Sequence, residues 1–197
     1  MSVLSGVRRQ CLARALRLSV ALGVAALAAC SGLPKSEDVA GDAFARGGRF
    51  AISATEFDGR QQAVQGGFRW QDNGRDYVLD LTNPLGSIEA RVEGAPGHAL
   101  LTRANGSTLQ APDPDSLVED ALGSPVPVSD LRYWLRGRVA PQTSDVQRDE
   151  AGQPVQFVQN GWHARLSRYD AAGPRLLVLE RQDAGRRILV RLVVDQP

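Results

Sequence analysis

The stretch Thr82-Asn83-Pro84-Leu85-Gly86-Ser87 decides the fold, because a regular alternation of apolar and polar residues stops at it on both sides. The apolar residues expected to share a face around it are Tyr77, Leu79, Leu81, Ile88, Ala90 and Val92. Alternation with period two, interrupted by Asn-Pro-x-Gly, predicts a β-hairpin closed by a short turn. The chain around this stretch is therefore expected to be antiparallel β-structure.

Leu85 is the unusual residue of this turn. Asn, Pro and Gly are ordinary turn residues, but a leucine at a turn has little to pack against. One interpretation is that Leu85 folds back over the end of the sheet. The other is that Leu85 is held in solvent for insertion into a membrane or a partner.

Short strand-like segments continue along the rest of the chain, and we count eleven of them. Turn signals such as Asn73-Gly74, Asn105-Gly106 and Asn160-Gly161 separate neighbouring segments. One loop is expected from Val139 to Ser144. Before the first strand, Asp38 to Arg46 is predicted as a short helix.

Two short amphipathic helices interrupt the strands. Asp113-Pro114 is typical of a helix start, and Gly123 would end that helix. Ser129 is predicted to cap the second helix, with Val128 and Tyr133 as a hydrophobic staple, and Gly137 would close it. The apolar stripe of this second helix is Leu131, Trp134 and Leu135.

One face of the predicted strands is apolar and the other is polar. The polar face would carry Arg69, Gln71, Asp80, Glu89, Arg91, His163, Arg165, Arg187 and Arg191. A large antiparallel sheet with one wet face curls around its apolar face. We therefore predict a mainly β fold: an open, unclosed antiparallel β-barrel of about eleven strands, with an apolar interior covered by the short helices. Its interior is expected to be lined by Phe68, Trp70, Leu79, Leu81, Leu131, Trp134, Leu135 and Trp162.

Residues 1–29 have the features of a targeting segment. Four arginines precede an apolar run too short to span a membrane, and the run ends Leu27-Ala28-Ala29-Cys30. That ending resembles the bacterial lipobox, which implies cleavage before Cys30 and lipidation of its thiol and amino group. We predict a signal peptide over 1–29 and a single open-barrel domain over 30–197, with 30–37 as a tether.

Composition narrows the function. The whole chain has 23 basic and 22 acidic residues. Cleavage of the signal peptide would remove four arginines, so the net charge of the mature chain would be 19 − 22 = −3. This mildly acidic balance argues against nucleic-acid binding. Cys11 leaves with the signal and Cys30 would be lipidated, so the mature chain would have no disulfide.

The residues that carry catalysis in enzymes are not arranged for it here. His98 follows a turn and His163 lies on the predicted polar face, so both are expected at the surface. The chain contains no Gly-x-Ser-x-Gly, no His-x-x-x-His and no phosphate-binding glycine loop. We therefore predict a binding protein rather than an enzyme, with no metal and no cofactor.

Taken together, these segments resemble the LolB family of outer-membrane lipoprotein receptors. The matching pieces are Cys30, Gly48-Arg49-Phe50, Phe68-Arg69-Trp70, Leu79 to Ser87, Leu122 to Val128, Leu131-x-x-Trp134-Leu135-x-Gly137 and Asn160-Gly161-Trp162. The resemblance implies a monomeric receptor that accepts the acyl chains of lipoproteins from a LolA-like periplasmic carrier and inserts the lipoproteins into the outer membrane. It also implies that the eight interior residues bind acyl chains, that Leu85 inserts into the membrane, and, from Ser31 after the cysteine, an outer-membrane location.

Two further hypotheses stay open at this point. The main alternative is a structural or scaffolding envelope lipoprotein with a solid core and no ligand, and a lipid-modifying enzyme comes third. A hollow interior separates the first two, because an acyl chain needs a cavity of roughly several hundred Å3.

Overall fold

The computed structural model describes residues 43–122, 125–140, 142–183 and 185–196. Within these ranges it contains eleven strands and two helices. The strands are β1 Phe44–Thr55, β2 Gln61–Asp72, β3 Tyr77–Thr82, β4 Ile88–Ala95, β5 His98–Arg103, β6 Thr108–Ala111, β7 Ser144–Arg148, β8 Pro154–Gln159, β9 Trp162–Asp170, β10 Gly173–Asp183 and β11 Arg186–Gln196. The helices are α1 Pro114–Leu122 and α2 Val128–Trp134.

All eleven strands belong to one antiparallel sheet that does not close. Its order is β6-β5-β4-β3-β2-β1-β11-β10-β9-β8-β7, so β1 joins the two halves by pairing with both β2 and β11. The two edge strands, β6 and β7, follow each other in the chain. The segment between them carries both helices, and α1 packs on β4, β5 and β6. The predicted open antiparallel barrel covered by short helices is therefore confirmed.

The core lies on the concave face of this sheet, as alternation predicted. All eight expected interior residues are buried, with at most 7% of any side chain exposed. The polar residues expected on the outer face are exposed, with one exception. Asp80 is buried because Arg91, its neighbour across the β3–β4 pair, covers it with two hydrogen bonds of 2.6 and 2.9 Å.

Two local predictions are wrong. Residues 44–46 of the expected Asp38–Arg46 helix form the start of β1, where Phe44 pairs with Asp72. Ser129 does not cap α2, which begins at Val128 after Pro127 without a side-chain cap, and Tyr133 is exposed rather than stapled. The Ser129 amide instead donates to Asp115 in α1 at 2.8 Å, so the contact between the two helices replaces the predicted local cap.

Alternation also predicts the wrong face of the sheet for Ile88. The register of the β3–β4 pair shifts between Leu81 and Thr82, so that Ala90 lies opposite Leu81 but Ile88 lies opposite Thr82. The extra residue turns Ile88 to the outer face with Thr82, where 46% of it is exposed. A bulge depends on the partner strand, and alternation within one segment does not reveal it.

The signal peptide, Cys30 and the tether lie outside the described residues, as does Gly123, and they stay predictions. In the described ranges, no helix is both long and apolar enough to cross a membrane.

Candidate functional site

The candidate site is the apolar interior beneath α2. A cavity of about 30 Å3 remains there, enough for one small molecule of water size and far below the roughly several hundred Å3 expected of an acyl-chain site. Five of the eight predicted residues line it: Phe68, Leu79, Leu81, Leu131 and Leu135. The three predicted tryptophans, Trp70, Trp134 and Trp162, are buried in the same core but do not line this cavity.

Alternation predicted this wall only in part. The cavity residues that we did not assign to the site are Phe50, Ile52, Val118, Val126, Val190 and Leu192. Those of them that lie on strands alternate in phase with Phe68 and Leu79 and so face inward. Alternation alone was therefore enough to include them. Which of the many inward residues meet at one point depends on the pairing of β1 with β11, and that pairing is not visible in a local pattern.

Two of the buried tryptophans sit against other aromatic rings. Trp134 makes an edge contact with Phe157 at a centroid distance of 5.4 Å, and Trp70 stacks on Tyr77 at 4.6 Å. Trp70 Nε1 and the Tyr77 hydroxyl are buried and find no hydrogen-bond partner among the described residues. Burial also raises the pKa of Tyr77 well above its ordinary value.

A buried polar cluster, which we call the Gln159 network, holds α2 to the second half of the sheet. Gln159 at the end of β8 accepts hydrogen bonds from Trp134 Nε1 at 3.1 Å and from the Thr143 hydroxyl at 2.8 Å. Its amide nitrogen donates to Asp130, and Asn160 donates to the other Asp130 oxygen at 2.9 Å. Burial raises the pKa of Asp130, whereas these two hydrogen bonds lower it.

A second polar contact holds α2 to the first half of the sheet. Arg132 donates to the buried carboxylate of Asp72 at the end of β2, with its shorter bond at 3.0 Å. Arg136 approaches the same carboxylate at 3.6 Å. The helix α2 is therefore tied by polar side chains to both halves of the open sheet, and its apolar stripe lies over the interior.

The Asn83–Ser87 turn presents Leu85 to solvent. The Asn83 side-chain oxygen accepts from the amides of Leu85 at 2.9 Å and Ser87 at 3.1 Å, and Gly86 takes a φ of +90° that favours glycine. Asn83 also donates to Glu89 at 2.7 Å, which anchors the turn to β4. Leu85 is 92% exposed. The interpretation that it folds back over the sheet is wrong.

The two histidines are both exposed, as expected. Among the described residues, no group of three or more His, Cys, Asp or Glu side chains is placed to hold a metal ion.

An open antiparallel barrel with an apolar interior beneath two helices, and an exposed apolar turn, defines a class of mainly β binding protein rather than a class with a catalytic centre. The family model described as outer membrane lipoprotein LolB matches residues 42–196. The chain belongs to this family. It is thus an outer-membrane lipoprotein that serves as a receptor and insertase in lipoprotein localisation.

Several relatives named outer-membrane lipoprotein LolB match over most of their length. The Bordetella petrii protein is 64% identical over 176 residues, covering 88% of each chain. The Bordetella parapertussis protein is 63% identical over 182 residues, covering 91% of this chain and 92% of its own. The Cupriavidus metallidurans protein is 40% identical, covering 86% of this chain and 89% of its own. A solved LolA superfamily structure, NE2245 from Nitrosomonas europaea, matches over 82% of this chain and 92% of its own. Its sequence identity is 11% and its TM-score is 0.42, a likeness too distant to support any inference.

Proposed function

We propose that the acyl chains of a client lipoprotein enter the apolar interior between the sheet and α2. The observation that carries this proposal is the construction of the lid. Leu131 and Leu135 close the interior from above, while the polar contacts of α2 lie at its margins, on Gln159 and Asp72. Such a helix can move away from the sheet without unpairing a single strand.

The 30 Å3 cavity is too small for an acyl chain, which needs roughly several hundred Å3, so acyl binding requires α2 to move. Opening breaks the Gln159 network and the Asp72 contacts. Burial of a methylene contributes about 0.8 kcal/mol, so an acyl chain that buries a dozen methylenes gains about 10 kcal/mol. That gain is of the same order as the cost of the hydrogen bonds broken, about 1 kcal/mol for a bond between neutral groups and about 1.5–3 kcal/mol for each bond to the Asp130 or Asp72 carboxylate. A client chain can therefore offset the opening of the lid.

Fluorescence quenching by a brominated acyl chain tests this proposal. Trp70, Trp134 and Trp162 are all buried in the interior. A lipopeptide with brominated acyl chains should quench them on binding, and the same lipopeptide without bromine should bind equally and leave the emission unquenched. Binding without quenching would place the chains elsewhere. A failure to bind any acyl chain would favour the scaffolding alternative.

We further propose that Leu85 inserts into the outer membrane while a client is released. A leucine held in solvent forgoes burial worth about 1.5–3 kcal/mol. Insertion of Leu85 into the leaflet recovers part of that energy. The hydrogen bonds that the Asn83 side-chain oxygen accepts from the Leu85 and Ser87 amides keep the turn in shape, so Leu85 is presented without ordering a loop at the time of contact.

Leu85→Glu should leave thermal stability nearly unchanged and still permit acceptance of a lipoprotein, but should impair its release into a bilayer, because a carboxylate resists entry into hydrocarbon. Leu109→Glu is the matched control, since Leu109 is an exposed leucine on the edge strand β6. Melting temperature, carrier-to-receptor transfer and receptor-to-membrane transfer are measured separately. If Leu85→Glu delivered normally per folded molecule, or if Leu109→Glu impaired delivery as much, the insertion role would be wrong.

The proposed partners are a LolA-like periplasmic carrier, the client lipoproteins and the outer membrane, with no nucleic acid and a monomeric receptor. The acidic balance of the mature chain and its family support this set. We also propose that the protein performs no covalent chemistry, so that acyl chains leave it unchanged. Mass spectrometry of a client before and after transfer would detect any chemical change and overturn that view.

A further inference from the structure

Phe57 is the second large apolar side chain that stands almost fully in solvent. It is 88% exposed, against 92% for Leu85, and the next such side chain in the described ranges is only half as exposed. Phe57 lies in the turn between β1 and β2, within Glu56–Arg60. Burial of a phenylalanine side chain contributes as much as that of a leucine, so its position needs the same explanation.

Topology puts Phe57 and Leu85 at the same end of the sheet. The strands β1 and β3 both pair antiparallel with β2, so they run in the same direction. Phe57 follows the end of β1 and Leu85 follows the end of β3. The β1–β2 hairpin extends six residues beyond the end of β3, from Gly67 to Gln61, which is roughly 20 Å of strand. Both tips therefore reach one flat surface only when the strands lie oblique to it.

The Phe57 turn is held in one shape. The Glu56 amide donates to the Arg60 carbonyl at 2.8 Å, and one edge of the Phe57 ring lies near Gly185, where an added Cβ would come within 3.1 Å of Cδ2. The charges beside Phe57 are paired: Asp58 with Arg60 at 2.6 Å, and Glu56 with Arg186 at 3.2 Å. A phenylalanine is thus presented on a turn with no free charge beside it.

We infer that Phe57 is a second membrane-contacting side chain, which together with Leu85 fixes how the barrel stands on the lipid surface. The inference rests on the proposed insertion of Leu85. Two isolated side chains on hairpin tips do not form the contiguous patch of roughly 800 Å2 that a protein partner needs, whereas a bilayer interface accepts single aromatic side chains. Among the described residues, the turns at the opposite end carry no exposed large apolar side chain, and the β7–β8 turn exposes the charged Asp149 and Glu150, which resist entry into lipid.

Site-directed fluorescence on the lipidated mature chain tests the inference. With the Cys30 thiol acylated, Phe57→Cys, Leu85→Cys and Ala151→Cys each provide a single thiol for a polarity-sensitive fluorophore, and the unsubstituted chain should take no label. Ala151 is the control because it is exposed in the β7–β8 turn at the opposite end. Each protein is placed on vesicles of phosphatidylethanolamine and phosphatidylglycerol, with or without nitroxide groups on the acyl chains.

Labels at positions 57 and 85 should shift to the blue and be quenched by the nitroxide lipids, while the label at 151 should do neither. A response at 85 with none at 57 would overturn the role of Phe57 and leave the proposed role of Leu85 standing. Silence at both positions would overturn both. A response at 57 to the carrier protein but not to vesicles would make Phe57 a protein contact and overturn the inference.

Loss of the side chain provides a second measurement that needs no label. Phe57→Ser should weaken vesicle binding of the Cys30→Ser chain about tenfold, the low end of what burial of an aromatic ring contributes. Phe57→Trp should restore binding. Unchanged binding by the serine variant, with an unchanged melting temperature, would contradict the inference.

Discussion

Replacing Gln159 by alanine should release α2 from the second half of the sheet. The substitution removes two hydrogen bonds between neutral groups, worth about 1 kcal/mol each, and one to the Asp130 carboxylate, worth about 1.5–3 kcal/mol. It also leaves the buried Trp134 Nε1 without a partner. The three bonds share one residue and do not add fully, so the free energy of unfolding should fall by about 3–4 kcal/mol.

Gln156→Ala is the matched control, because Gln156 lies on the same strand with its side chain exposed on the outer face. Its effect should stay within about 0.5 kcal/mol. Urea unfolding measures the global free energy, and hydrogen exchange of the amides from Leu131 to Leu135 measures the opening of α2.

If the Gln159 network holds the lid, those amides should exchange about 100-fold faster or more in the Gln159 variant, since each 1.4 kcal/mol is a factor of ten. Acyl-chain uptake should also speed up. The reasoning would be refuted if α2 exchange stayed at the parental rate while the strands β8 and β9 lost protection. In that case the network would stabilise the sheet and not the lid.

Three further substitutions test other parts of the molecule. Cys30→Ala should abolish stable anchoring in the membrane, leaving only the weak contact proposed for Phe57 and Leu85, but should leave folding and client acceptance intact, because the first described strand begins only at Phe44. Fractionation and carrier-to-receptor transfer check this, and loss of acceptance would implicate the anchor in binding. Asp170→Asn should lower the free energy of unfolding by about 1–2 kcal/mol at pH 7, because hydrogen bonds from Arg46 lower the pKa of Asp170 to about 2. This contribution is present above the ordinary pKa near 4 and is lost as the pH falls through 2. In urea unfolding, the difference in free energy of unfolding between the variant and the parent should therefore disappear near pH 2. Tyr77→Phe should raise the free energy of unfolding by about 1 kcal/mol, because it removes a buried hydroxyl that has no partner among the described residues; a loss of stability in urea would reveal a partner for that hydroxyl.

Strand number and facing were predictable because both are local properties. Alternation around Asn83–Ser87 and at the Asn-Gly turns specifies where each strand runs and which side faces inward, and the eleven strands follow from it. The Ile88 error has a physical cause of the same kind: at the bulge, two residues of β4 face one residue of β3, and only the pair shows it.

The contacts that hold α2 over the interior could not be predicted, because they join residues far apart in sequence. Asp130 and Gln159 are 29 positions apart, and Arg132 and Asp72 are 60 positions apart. A polar residue at an inward position, as Gln159 is, was the available signal, since a buried amide requires partners. The sequence pattern does not indicate that those partners lie on α2.

The order of the strands supports the proposal that α2 moves to admit an acyl chain. In a closed barrel, access to the interior would require breaking a β-ladder, with many hydrogen bonds lost together. Here the edges β6 and β7 are consecutive in the chain, and the helical segment that joins them covers the gap. Access then requires the loss of the polar contacts of α2 and of the burial of its apolar stripe, which an incoming acyl chain can replace, while the sheet that supports Leu85 and Phe57 stays paired.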